Sequence, residues 1–238
     1  MKTLVSVIAF NEEQNIGTTL QDLRDHNCGF DIVVIDNGSS DATAARASEM
    51  GVPVVSHCIN AGGSMGTVTS YFNYAWHHGY DCLCQFDGDG QHIAAELPKI
   101  IDPVRHNEAD YVIGSRFLAK EGFQSTAVRR AGIQLFSSLD SWIMGQKVTD
   151  VTSGFRAYSR RVIEFFGSIY RLELHDTNQL LLASQFSGAR ILEVPVQMRE
   201  RVHGQSEYDW INAVAYPFLG AVNILGVRLQ KKQIQKMR

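Results

Sequence analysis

The feature that most constrains this chain is an alternation, repeated over its first half, of apolar strand-like runs with polar-led helical stretches. Leu4 to Ala9 is an apolar and β-branched run broken only by Ser6, and Asn11, Glu12 and Glu13 then open a polar segment that reads as a helix N-terminus. The pattern recurs at Ile32 to Ile35 followed by Asp41 to Met50, and at Val52 to Val55 followed by about Gly63 to His78. It recurs again at Cys82 to Phe86 followed by about Ala94 to His106, and Tyr111 to Ile113 is a further short strand. Apolar strands separated by helices predict an α/β fold with a mainly parallel sheet, helices on both faces and right-handed crossovers. Ligands of such sheets bind outside the carboxyl ends of the strands. Four of those ends carry polar residues: Asn11, Asp36, Asn60 and Asp87.

From about Thr126 the helical stretches lengthen, with one clear late strand at Ile191 to Val196. The 238 residues allow one large domain, and no low-complexity linker or fixed-period repeat divides them. A formal net charge of -3 is too mild for a nucleic-acid-binding surface spread over the molecule. Cys28, Cys58, Cys82 and Cys84 lie in or beside apolar runs without CxxC or CxxH spacing, which predicts reduced, buried thiols. The first strand begins almost at Met1, with no basic and apolar leader before it, so a cytoplasmic location is expected.

Asp87, Asp89 and Gln91 alternate with Gly88 and Gly90 directly after a strand. Three oxygen donors on an irregular segment suit one hard divalent cation with positions open to phosphate oxygens. An Asp-Gly turn with solvated carboxylates is the other reading of the same stretch.

The order Ala9-Phe-Asn-Glu-Glu13, Asp36-Asn-Gly-Ser-Ser40 and Asp87 to His92 resembles the family 2 glycosyltransferases of the GT-A, Rossmann-like fold. Polyprenyl-phosphate sugar transferases are the most similar branch. Later matches are Gly114-Ser-Arg116, Arg129 and Arg130, Asp150-Val-Thr-Ser-Gly-Phe-Arg156, Glu193 to Val196, and Arg201 with Gly204 and Ser206. The resemblance implies a GT-A domain over 1–206, with a nucleotide-sugar half at 1–118 and an acceptor half at 119–206, and a helical extension with a basic tail at 207–238.

It further implies an inverting transfer of a sugar from a nucleotide diphosphate sugar to a polyprenyl phosphate or lipid-linked glycan. Ala9, Asn11, Glu12, Asp36, Asn60, Asp87 and Gly88 would border the nucleotide. Asp87, Asp89 and Gln91 would hold Mg2+ or Mn2+, with His92 in support. Arg116, Arg130 and Arg201 would meet phosphate through bidentate, charge-assisted hydrogen bonds. Asp150 would serve as general base for a hydroxyl acceptor, or as an orienting group for a phosphate that is already ionised.

Gly62, Gly63 and Gly66 would allow close backbone approach to the nucleotide, though their spacing alone is a weak signal. Asp36 stands where many relatives have the first of two aspartates, and Glu207 where many have a basic residue. Ser39 or Ser40 is a candidate helix cap. Ile211 to Val227 is interrupted by Asn212, Pro217 and Asn223, which makes it a poor transmembrane span. Arg228, Lys231, Lys232, Lys236 and Arg238 follow with no acid among the last 11 residues, so the tail is either a peripheral membrane element or a core or homodimer helix. The alternatives from other classes are a nucleotidyltransferase, which normally needs a basic loop that Ala9 to Asn15 lacks, and a non-catalytic nucleotide-sugar-binding module.

Overall fold

The computed structural model describes residues 1–60, 67–118, 127–169, 177–201, 225–232 and 234–236. Gly62, Gly63, Gly66, Gly204, Ser206, Glu207 and the stretch 211–224 lie outside the described residues. Seven strands form one sheet: β1 (Thr3–Ala9), β2 (Asp31–Asp36), β3 (Val54–Ser56), β4 (Cys82–Asp87), β5 (Tyr111–Ser115), β6 (Arg156–Ser159) and β7 (Ile191–Pro195). Their spatial order is β3-β2-β1-β4-β6-β5-β7. All pairings are parallel except those of β6, which runs antiparallel between β4 and β5.

All seven residues of β1 are buried, as a central strand covered on both faces requires. Leu4 and Ile8 enter one hydrophobic cluster, while Val5, Val7 and Ala9 enter the other, following the two-residue period of a strand. The second of these clusters is closed by α1 (Ile16–Asp25), α2 (Thr43–Glu49) and α4 (Leu97–Arg105). In α1 the buried residues are Ile16, Thr19, Leu20 and Leu23, and in α4 they are Leu97, Ile100, Ile101 and Val104, each set one helical stripe. The opposite face is covered by α3 (Val68–His77), α5 (Ala127–Met144), α6 (Arg160–Glu164) and α7 (Thr177–Phe186). An aromatic group of Tyr71, Phe72, Tyr158 and Phe166 is its centre, with Phe72 at 4.8 to 5.0 Å from the other three rings.

The predicted α/β sheet is therefore present, with differences of detail. The helix expected over Asp41 to Met50 is the shorter α2, and neither Ser39 nor Ser40 caps it: the Asp41 carboxylate accepts the Thr43 N–H at 2.9 Å. The strand β6 has no counterpart in the sequence reading. Four residues that include Arg156 and Ser159 carry little strand signal, and β6 exists because β4 and β5 offer it two edges. The four thiols are free, but only Cys82 and Cys84 are buried, whereas Cys28 and Cys58 are exposed because each sits in a loop beyond its apolar run. Burial pushes the Cys82 thiol up to about 12, which keeps it protonated.

Because β1 is followed outward by β2 and β3 on one side and has β4 on the other, the sheet switches direction between β1 and β4. The chain runs on from β1 toward β2 and from β4 toward β5 on the other flank, with α1 and α4 on the same face, and a crevice lies at the strand ends there. Phe72→Ala, which empties the centre of the aromatic group, is expected to cost about 3–5 kcal/mol in a urea titration.

Candidate active site

The crevice at the switch point is built from short segments that each follow a strand. In the β1–β4 pairing Ile8 lies opposite Asp87, and the Gly88 N–H donates to the Ile8 carbonyl at 2.7 Å. A Cβ on Gly88 would meet that carbonyl oxygen at 3.0 Å, so a glycine lets the chain turn against β1. Asp89 is nearly buried and its Oδ1 accepts the Gln91 N–H at 3.0 Å, while the Gln91 carbonyl accepts the Arg199 N–H. Asp87, Gly88, Asp89 and Gln91 thus sit at the carboxyl end of β4, as the sequence predicted.

Asp87 has a side chain 31% exposed at its tip but ringed by protein. Desolvation raises its carboxyl above the ordinary range; His92 and Arg201 oppose this, while the charge of Asp89 adds to it. His92 Nδ1 accepts the Asp87 N–H at 2.9 Å, which leaves Nε2 as the N–H position, 3.5 Å from Asp87 Oδ2. The ring is stacked on Phe155 at 4.7 Å, so His92 braces Asp87 from within the protein. On its other side the Asp87 carboxylate lies against Gly154, where an added Cβ would come within 2.8 Å of Oδ2.

Glu12 lies across the crevice. Its N–H donates to Thr43 Oγ1 at 2.8 Å, and its Oε2 accepts from the Asn15 amide at 2.6 Å. Arg201 Nη2 then donates to Glu12 Oε1 and to Asp89 Oδ2, both at 2.9 Å. One guanidinium from the segment after β7 therefore joins the ends of β1 and β4. Burial holds Glu12 above the ordinary carboxylate range in spite of Asn15 and Arg201. Sequence reasoning placed Glu12 at the nucleotide border but did not foresee its carboxylate facing Arg201.

The nucleoside side is formed at β2. Asn11 adopts a left-handed φ of 53° and accepts the Ser40 N–H through Oδ1 at 2.9 Å, while its own N–H donates to Ser39 Oγ. The Ala9 carbonyl accepts the Asn37 N–H, and Asp36 Oδ1 accepts the Ser39 N–H at 3.1 Å. Asn37 donates to Asn60 Oδ1 at 3.0 Å and pairs with His57 Nδ1 at 3.1 Å. Ala9, Asn11, Asp36 and Asn60 are thereby brought to one side of the same crevice.

Arg116 and Asp150 form a buried fork. Arg116 Nε donates to Asp150 Oδ2 and Nη2 to Oδ1, each at 2.7 Å, and the Arg116 N–H also donates to Oδ2 at 3.1 Å. Asp150 has no exposed surface. Burial pushes the Arg116 pKa down, but pairing with Asp150 outweighs it and the net direction is upward. Beneath the loop, the fully buried Arg156 donates to the Val151 and Ser153 carbonyls and to Tyr111 Oη. Glu193 of β7 accepts the Thr149 and Asp150 N–H groups at 2.9 and 2.8 Å. The 149–156 loop is thus held from three strands. Arg129 and Arg130 lie in the first turn of α5, and their side chains are outside the described part.

A mainly parallel α/β sheet with acidic groups and arginines at its switch point marks a ligand-binding crevice, and comparison narrows its class. The model of the family "Glycosyl transferase family 2" matches residues 4–167, and the chain belongs to that family. It is 32% identical over 220 residues to the undecaprenyl-phosphate mannosyltransferase of Micrococcus luteus, spanning 87% of each chain. It is 28% identical to the polyprenol monophosphomannose synthase of Mycolicibacterium smegmatis, over 89% of this chain and 82% of that one. The fold matches the glucosyl-3-phosphoglycerate synthase of Mycobacterium tuberculosis, solved in complex with Mn2+, UDP and glucosyl-3-phosphoglycerate. There the TM-score is 0.68 at 18% identity, over 95% of this chain and 79% of that one, a likeness of fold. The protein is a glycosyltransferase with the GT-A fold, which sets aside the nucleotidyltransferase and non-catalytic readings.

Gly154→Ala is expected to push the Asp87 carboxylate aside, lowering turnover by on the order of tenfold or more while circular dichroism stays native. Unchanged turnover would show that Asp87 does not need its present position.

Proposed function

We propose that the enzyme is an inverting, metal-dependent transferase that moves a sugar from a nucleotide diphosphate sugar to a polyprenyl phosphate. The observation that carries the donor side is the convergence of Asp87 and Asp89 with Arg201 at the switch point between β1 and β4. The acceptor class is supported by the relatives in Micrococcus luteus and Mycolicibacterium smegmatis, whose names are those of lipid-phosphate mannosyltransferases. In this reading residues 1–118 supply the donor site, completed by Arg201, and the rest of 119–206 the acceptor side, with 207–238 as an extension. The reaction runs on the cytoplasmic side of a membrane.

The donor set suits Mg2+ or Mn2+. The carboxylates of Asp87 and Asp89 are hard oxygen ligands; burial is the main cause of the raised Asp87 pKa and the charge of Asp89 adds to it, so a bound cation would favour both ionised forms. Among the described residues no three His, Cys, Asp or Glu side chains are grouped so as to hold a metal ion by themselves. Asp87, Asp89 and Gln91 would hold it, and when bound it neutralises charge on the departing nucleoside diphosphate. Arg201, now on Asp89 and Glu12, supplies a second positive charge at the same place. Ala9, Asn11, Asp36 and Asn60 border the nucleoside, with the Asp36 carboxylate accepting from an N–H of the base.

Both Asp150 oxygens are occupied by Arg116. This favours a role for Asp150 in holding Arg116 in place over a role as general base. An ionised phosphate acceptor needs no base, whereas the hydroxyl of a lipid-linked glycan does. The phosphate acceptor is therefore the better fit.

The test is transfer from a panel of labelled nucleotide sugars to a polyprenyl phosphate with Mg2+, Mn2+ or chelator. Transfer with inverted anomeric configuration is expected, abolished by chelator, and Asp89→Asn should lower turnover by on the order of 100-fold or more. A retained anomer, or full transfer in chelator, would refute the mechanism. Asp150→Asn should lower turnover without removing the acidic limb of the pH–rate profile; loss of that limb would assign Asp150 as the base.

A further inference from the structure

Six large apolar side chains stand out as exposed among the described residues, and three of them gather on one surface: Trp142 (69%), Leu225 (58%) and Leu229 (77%). The helix over residues 225–232, here α8, continues at 234–236. Val227 and Ile234 are buried in the core on one side of it. Leu225, Arg228, Leu229 and Lys232 follow the i, i+3, i+4, i+7 spacing on the other side, and all four are exposed. The Arg228 guanidinium lies over the Trp142 ring of α5 at 5.2 Å, which joins that tryptophan to the outward face. Lys231 reaches over Phe186 of α7 at 4.9 Å and brings a third cation to the flank of the helix. No acidic residue occurs after Asp209.

We propose that the outward face of α8 with Trp142 docks on the surface of an anionic lipid bilayer. The combination of exposed leucines, one tryptophan and cations that form no ion pair among the described residues is that of an interfacial helix. Among the described residues no helix is long and apolar enough to cross a membrane, so the contact lies in the plane of the headgroups. Charge complementarity selects the occupant. A two-fold pairing with a second copy would bring two positively charged faces together, whereas anionic headgroups neutralise them. The proposal deepens the lipid-phosphate reading of the acceptor, but its test uses neither donor nor acceptor, so either can fail alone.

The purified full chain is sedimented with phosphatidylcholine vesicles, with and without phosphatidylglycerol. Binding is expected only to the anionic vesicles and should weaken as salt is added. Since each cation near such a surface is worth about a fivefold gain, Arg228→Gln with Lys232→Gln should weaken partitioning by about 25-fold. Leu225→Gln with Leu229→Gln should weaken it at least about tenfold. Both double variants should keep the parent's circular dichroism and thermal midpoint. Equal binding to neutral vesicles, no binding to anionic ones, or binding untouched by either double variant would overturn the proposal. A dimer in solution that Leu229→Gln abolishes would assign the face to a second copy and overturn it as well.

Discussion

The placement of β1 between β2 and β4 is the constraint on which the rest depends. All three strands run parallel, β1 is buried along its whole length, and the strand order reverses between β1 and β4 beside its carboxyl end. Pairing Ile8 with Asp87 sets the register, and a one-residue slip would turn Asp87 and the other β4 side chains to the opposite face. Glu12 and Asp89 can therefore meet Arg201 only because β1 and β4 end side by side.

Two arginine–carboxylate nets stand on that platform, and they differ in kind. The Arg116–Asp150 fork is enclosed, bidentate and reinforced by the backbone N–H of Arg116, so it behaves as part of the frame. The Arg201 net is shared between two carboxylates at the crevice, with Arg201 itself partly exposed. An enclosed fork thus stands beside one that is partly open to solvent. Arg156, tied to two carbonyls of the 149–156 loop, keeps the frame and the site in one piece.

Much of the architecture was legible. Strands buried on both faces must be written as apolar runs, which is why β1, β2 and β4 could be read with boundaries close to those observed. The strand β6 could not, because its few residues, among them a buried arginine, become a strand only through partners distant in the chain. The same holds for Cys28 and Cys58, which stand near apolar runs in sequence but at the surface in space.

At the site, the sequence by itself determined the residue types and their attachment: alternating carboxylates after β4, an Asp-Asn-Gly-Ser turn after β2, and arginines in later segments. These follow from local composition and period, which a linear reading can see. Only the tertiary structure decided the pairing. It showed that Asp150 is taken by Arg116, that Glu12 shares Arg201 with Asp89, and that α8 buries Val227 and Ile234 while leaving Leu225 and Leu229 outward. Electrostatic and hydrophobic partners are chosen by distance in space, and that distance is set by a sheet whose strand order departs from the order of the chain.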